Sequence, residues 1–311
     1  MEMEMAEGEF PGSYRERKSK RNGKKMMYNS NGEWGKWEDL NPEILALILV
    51  RIPAEERVAT ASLVCKSWMS CVLGPFCWSD IDIQDWCRRR HLAVEYVDSA
   101  VRKLVRRSKG TFRRLSAFRL GDSGFAFAAN CGRCLKVLEI PMSEVNDKIV
   151  AKFAESLVNL SVMDISYCLK ITHVGIEVFG KNCKSLTQLK RNMPPQELER
   201  LSSTSKVNEL EAMVIADTMP LLQHLQLGFG CFGDTGLGAI LAKCKALTHL
   251  DIQGCWNVKL EGELEDRCLQ LPAFKSPWVY DLFTDNDEQD DENEDDEYSS
   301  SDSEQKILFL L

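Results

Sequence analysis

Residues 37–72 read WEDLNPEILALILVRIPAEERVATASLVCKSWMSCV, and how this stretch folds decides the reading of the whole chain. Asn41 has the side chain of a helix N-cap. Pro42 suits the first helical position, where a missing N–H has no intrahelical bond to lose. The helix so started runs through Ile44, Leu45, Leu47, Ile48 and Leu49 and ends at the Ile52-Pro53 step, because the residue before a proline is pushed out of the helical region. A second helix is expected over 55–61 and a third over 62–72. The first helix is apolar nearly all the way round, which is more than a small helical unit buries by itself. One of its faces needs a cover, supplied either by the rest of the chain or by another protein.

The residue identities go further. Leu40, Pro42-Glu43-Ile44-Leu45, Ile48, Ile52-Pro53, Val64-Cys65-Lys66, Trp68 and Trp78 stand in the order and spacing of an F-box, and residues 40–78 resemble that family. The family's Leu-Pro pair is present as Leu40-Asn41-Pro42, one residue longer. The resemblance implies a three-helix module that docks on a Skp-family adaptor, itself linked to a cullin and a RING subunit. It assigns the docking surface or its support to Leu40, Pro42, Ile44, Leu45, Ile48, Val64 and Trp68.

Beyond Trp78 an internal period is visible. Leu-x-x-apolar-x-apolar occurs as Leu115/Phe118/Leu120, Leu135/Leu138/Ile140, Leu160/Met163/Ile165, Leu222/Leu225/Leu227 and Leu247/Leu250/Ile252, with a partial copy at Leu186/Leu189. The anchors step by 20, 25, 26, 36 and 25 residues, the long step holding an insertion around 191–219. Cys168, Cys231 and Cys255 follow their anchors by eight or nine residues, and Cys183 and Cys244 precede theirs by three. These copies resemble cysteine-containing leucine-rich repeats, and the chain as a whole resembles a plant F-box/leucine-rich-repeat protein. The expected fold is α/β: a three-helix F-box over 34–78, then a short, irregular solenoid over 79–284, with a disordered basic arm over 1–33 and a disordered acidic tail over 285–311. Residues 78–83 read as the strand leading into the solenoid, and 94–108, 146–156 and 234–243 as helices.

On a strand, the residues flanking each buried leucine face the other way. In a solenoid they line the concave surface that such folds use for binding. Those positions are Val137, Glu139, Val162, Asp164, Gln188, Lys190, His224, Gln226, His249 and Asp251, a polar mixture suited to a protein partner more than to a small molecule. The implied function is that of the substrate-recognition subunit of an SCF-type ubiquitin ligase, bridging adaptor and substrate so that the substrate is ubiquitinated and degraded. The rivals are an interaction scaffold outside any ligase and a nuclear nucleic-acid-associated protein.

Chemistry of the chain's own is weakly signalled. Cys131 and Cys134 form a C-x-x-C pair, but no second pair or His motif stands at zinc spacing, so no metal or cofactor is expected and two repeat-lining thiols are the default. The cysteines are expected inside the coil and His224 and His249 on its concave face, which separates any nucleophile from a base. No phosphate loop, H-E-x-x-H or G-x-S-x-G is present, so the chain is read as non-catalytic.

Basic residues cluster between Arg88 and Arg114 without the interleaved aromatics of an RNA-binding motif, which disfavours direct nucleic-acid binding. Twelve Asp and Glu between Asp285 and Glu304 outweigh the whole net charge of -8, leaving the rest of the chain mildly basic. Ser301, three residues before Glu304, fits an acidophilic kinase. No window approaches the eighteen apolar residues of a membrane span, and the start, MEMEMAEGEF, lacks the order of a signal peptide. The expected location is therefore nucleus or cytoplasm, with the run Arg15 to Lys25 as a candidate nuclear signal.

Overall fold

Asn41 does what its side chain suggests: its Oδ1 accepts the Glu43 N–H at 2.8 Å, and the helix begins at Pro42. The computed structural model in which this is seen describes residues 26–28, 34–195 and 207–278. The chain divides into two units, Met1–Leu40 and Asn41–Leu311. In the first, β1 (Met26–Tyr28) pairs antiparallel with β2 (Trp34–Lys36), and a 3-10 turn follows at Trp37–Asp39. The strand Met26–Tyr28 falls within the stretch 1–33 expected to lack structure, the rest of which lies outside the described residues. The basic run Arg15 to Lys25, the acidic tail with Ser301, and 196–206 of the insertion lie outside the described residues.

The second unit opens with α1 (Pro42–Leu49), α2 (Ala54–Ala59) and α3 (Lys66–Leu73). The expected third helix over 62–72 is two elements, a 3-10 turn at Ala61–Leu63 and then α3, which Cys65 starts by accepting the Trp68 N–H on its sulfur at 3.5 Å. A 3-10 turn at Pro75–Trp78 leads directly into β3 (Asp80–Asp82). After it come α4 (Gln84–Arg89), α5 (Val94–Arg107), β4 (Arg114–Ser116), α6 (Asp122–Cys131), β5 (Val137–Glu139), α7 (Asp147–Phe153) and β6 (Val162–Asp164). The chain continues with α8 (His173–Asn182), β7 (Gln188–Lys190), α9 (Leu210–Thr218) and β8 (His224–Gln226). It ends in α10 (Asp234–Lys243), β9 (His249–Asp251), α11 (Glu263–Leu269) and β10 (Ala273–Lys275).

Strands β3 to β10 form one parallel eight-stranded sheet in chain order. The register is the same at every step: Ile81, Leu115, Leu138, Met163, Leu189, Leu225, Leu250 and Phe274 lie side by side at the strand centres. From Ile81 to Leu250 these side chains are buried, facing the helices. Each fully buried Leu or Met contributes roughly 1.5–3 kcal/mol, so the column supplies much of what holds the coil closed. The register corrects one reading of the sequence. Leu115 aligns with Leu138 rather than with the anchor Leu135, so the first copy is Phe112/Leu115/Ala117, with buried Phe112 in the place of the anchor leucine. The final strand, Ala273–Lys275, was not foreseen, because Phe274 replaces the leucine the pattern asks for.

Adjacent repeats are joined by more than apolar contact. Asp98 accepts the Gly121 N–H at 2.8 Å, Asp147 those of Thr172 and Gly175 at 2.9 and 3.1 Å, and Glu209 that of Gly236 at 2.9 Å. Each carboxylate thus sits at the start of the next repeat's helix, where orphan N–H groups and the helix dipole favour negative charge. Such close approach requires glycine: a Cβ at Gly124, Gly175 or Gly236 would lie 2.5, 2.4 or 2.4 Å from those same carboxylate oxygens. The buried Cys168 and Cys255 donate their S–H to the Ile140 and Leu227 carbonyls of the preceding copy, both at 3.1 Å, which is why a small polarisable group stands at the bend.

Candidate functional site

The F-box segment buries only one side of its first helix. Leu45, Ala46 and Leu49 are fully buried, whereas Ile44 is 53%, Leu47 67% and Ile48 36% exposed. Leu63, Val64, Met69, Leu73 and Phe76 are exposed too, so a short segment presents a large bare apolar patch. Monomeric surfaces seldom carry such a patch unless another molecule covers it. Of the residues read from the sequence as adaptor-contacting, Pro42, Ile44, Ile48 and Val64 are exposed, Trp68 is half-buried, and Leu40 is half-buried within the first unit. Leu45 faces the interior, which places it in the support of the patch and not on its surface. The sequence reading passed over Leu47, Leu63, Met69, Leu73 and Phe76; helical spacing after Asn41 and Cys65 was the available signal for Leu47, Met69 and Leu73, whereas Leu63 and Phe76 sit in 3-10 turns that no periodicity marks.

What holds this patch in shape is Arg57, a residue the sequence offered no reason to notice. It is buried, and its guanidinium donates to the carbonyls of Leu49 at 3.1 Å, Val50 at 3.2 Å, Ile52 at 3.0 Å and Cys77. Burial pulls its pKa down, opposed by nearby Cys77, Asp80 and Glu55. The same group lies 4.8 Å from the centre of the Trp78 ring, whose other neighbour is the Arg107 guanidinium at 5.7 Å. The Trp78 indole N–H donates to the Val72 carbonyl at 2.7 Å, so the end of the helical module and the start of the sheet share one buried ring.

The second surface is the outer face of the sheet. The register sets Val137, Val162, Gln188, His224 and His249 in one column and Glu139, Asp164, Lys190, Gln226 and Asp251 in the other. The eight polar positions read as substrate-facing therefore stand together on one face; His249 is exposed and the others are half-buried. The His224 and His249 rings meet edge to face with centroids 4.1 Å apart. Burial, and then the charge His249 would carry, lower the His224 pKa. Arg114, at the head of the sheet, reaches Glu139 at 2.8 Å, Asp82 at 3.7 Å and Asp80 at 3.9 Å, and Lys275 reaches Asp251 at 3.0 Å.

Reactive thiols do not join these histidines. Burial pushes Cys168 up to about 11 and Cys183 and Cys255 up to about 12, so they remain protonated, and inert as nucleophiles, at neutral pH. Cys131 is half-buried and Cys134 exposed, so the C-x-x-C pair does not line the coil as the sequence suggested. Among the described residues no cluster of His, Cys, Asp or Glu is arranged to hold a metal ion. No helix among them is long and apolar enough to cross a membrane.

Comparison with known proteins matches the geometry at both ends of the unit. The F-box domain pattern matches residues 37–80. Three proteins of Arabidopsis thaliana are similar over most of the chain. F-box protein FBW2 is 37% identical over 232 residues, 74% of this chain and 72% of that protein. F-box protein SKIP19 is 33% identical, over 77% and 76%. F-box/LRR-repeat protein 23 is 32% identical, over 82% of this chain and 54% of its own length. With its cysteine-bearing repeats stacked directly behind the helical module, the chain belongs to the plant-type F-box/leucine-rich-repeat proteins.

Proposed function

We propose that the chain is the substrate receptor of an SCF-type ubiquitin ligase, docking on a Skp-family adaptor through the bare patch and holding a protein substrate on the outer face of its sheet. The observation that carries this reading is the exposure of Ile44, Leu47, Ile48 and Val64 on a module whose opposite side is fully packed. Burying those side chains against a second protein returns at most roughly 1.5–3 kcal/mol each before the cost of association, and the exposed Leu63, Met69, Leu73 and Phe76 add to it. The chain's contribution to catalysis is positional: a substrate held on the same assembly as the charged conjugating enzyme meets it at a high effective concentration. The chemistry is done by that enzyme. Nucleus and cytoplasm both suit this role.

The test is co-purification of the full chain with a recombinant Skp-family adaptor. Wild-type protein should bind. Ile44→Asp and Val64→Asp, which set a charge in the patch without entering the core, should weaken binding at least a hundredfold, with Trp68→Ala as a further comparison. Wild-type protein that ignores the adaptor overturns the ligase reading and leaves the scaffold and nucleic-acid readings. Binding unaffected by either aspartate puts the interface elsewhere.

A further inference from the structure

Just past the strands, each repeat presents one residue at an equivalent place, and the backbone hydrogen bonds keep those places in register. The Met142 N–H donates to Ser166, Tyr167 to Asn192, Met193 to Gly228, Phe229 to Gln253 and Gly254 to Pro277, each to the carbonyl of the next repeat at 2.7–2.9 Å. Arg119, whose N–H donates to the Pro141 carbonyl at 3.1 Å and whose φ is 61°, holds this place in the first repeat, and Met142, Tyr167, Met193 and Phe229 follow it in a row along one edge of the sheet. Met142 and Tyr167 are exposed, and Met193 and Phe229 are half-buried.

The backbone here makes large side chains a poor choice for stability. Met142, Tyr167 and Phe229 have φ of 57°, 61° and 58°, the left-handed region that glycine occupies freely and other residues do not. Gly254 fills the same place one repeat later with φ 75°. At three steps of one ladder a large, partly bare apolar group thus stands where glycine would relax the chain. Such a group is rewarded only when something covers it.

Charge identifies the cover. The flanking positions of β3 to β6 carry four carboxylates, Asp80, Asp82, Glu139 and Asp164, against one cation, Arg114, which is already shared among three of them. This stretch runs beside the Met142 and Tyr167 end of the row, where Arg119 beside Met142 and Lys190 beside Asp164 are the further cations and the carboxylates remain in excess. Resting on the substrate-receptor reading, we infer that this edge binds a protein segment in which Lys or Arg is followed by apolar or aromatic side chains. The basic end lies by Asp164 and Tyr167 and the apolar end by Met193 and Phe229. Three ladder steps of about 4.8 Å make the row roughly 14 Å long, the reach of an extended segment of about five residues.

The test uses the full chain purified with its adaptor, or alone if the adaptor does not bind, so that failure of adaptor docking is read separately from failure of this proposal. Twelve-residue peptides from a random phage-displayed library are selected on it and re-measured on variants. The expected winners carry Lys or Arg followed by aromatic or aliphatic residues. Tyr167→Gly and Asp164→Lys should each weaken them about tenfold or more, and Val174→Ser, an exposed apolar residue on α8 away from the row, should leave them unchanged. Because glycine suits the left-handed backbone, Tyr167→Gly should lose binding while its melting temperature stays within a few degrees of wild type. Winners that lack cations, winners indifferent to Tyr167→Gly and Asp164→Lys, or no winners at all each overturn the proposal.

Discussion

Replacing Arg57 with methionine keeps the aliphatic stem beside Trp78 and deletes every donor. Four carbonyls then lose the guanidinium, and two of those bonds, to Leu49 and Cys77, are fully buried, although the Leu49 carbonyl keeps the Ile52 N–H at 3.0 Å. Leaving the buried Cys77 acceptor unsatisfied costs about 1–3 kcal/mol, and losing the second bond to the Leu49 carbonyl costs about 1 kcal/mol more. The Val50 and Ile52 carbonyls are only part-buried, so water relieves much of their share. Against this, removing the guanidinium also removes its desolvation, the cause of its lowered pKa. The net expectation is a loss of about 3 kcal/mol, or roughly 1 M in the urea midpoint of the full chain followed by circular dichroism. Adaptor affinity should fall about tenfold as well, because Arg57 ties the end of α1 to the turn carrying Phe76 and so sets the spacing of the patch. Arg57→Lys, with one nitrogen for four carbonyls, should recover less than half of the stability. A methionine variant within about 0.5 kcal/mol of wild type would refute the reasoning.

Arg191 is the same device inside the solenoid: its guanidinium donates to the Cys168 and Ile171 carbonyls at 2.9 and 2.7 Å and pairs with Glu211 at 3.0 Å, so Arg191→Met should lower urea stability by about 3 kcal/mol and Glu211→Ala by less. Gly175→Ala drives a methyl against the Asp147 carboxylate and should destabilise by about 2 kcal/mol, partly relieved in a double-mutant cycle with Asp147→Ser. Because the folded His224 pKa lies below its ordinary 6.5, its contribution is present above that value and lost as the pH falls through the folded one. The melting temperature should therefore drop between neutral and mildly acidic pH, and His224→Gln should flatten that drop. An unchanged slope in the variant would assign the acid sensitivity to other groups.

The parts legible in the sequence were those written in local spacing. Asn41-Pro42 marked a helix start, and the leucine period located the middle strands and the two columns beside them. The α10 boundaries, Asp234–Lys243, coincide with the helical stretch read from the residues. What escaped depends on partners distant in sequence. Nothing local singles out Arg57 or Arg191, because the carbonyls that hold them lie on other turns of the chain. Asp98, Asp147 and Glu209 act on helices some two dozen residues downstream, a distance no local motif spans. The left-handed row was invisible because Met, Tyr and Phe do not advertise positive φ as glycine does. The frame slipped at the first repeat for a simpler reason: Phe112 fills a leucine site, and Phe118 offered an apolar decoy three residues after Leu115.

The ring of Trp78 has the guanidinium of Arg57 4.8 Å and that of Arg107 5.7 Å from its centre, so plug and coil are joined through a shared buried side chain. On the proposed receptor reading, such a junction would favour a bracket over a hinge, holding a target at a set distance from the active site. Which lysines of a captured protein come within range would be settled by where on that protein the gripped segment lies, making this receptor a gauge of distance as much as a reader of sequence.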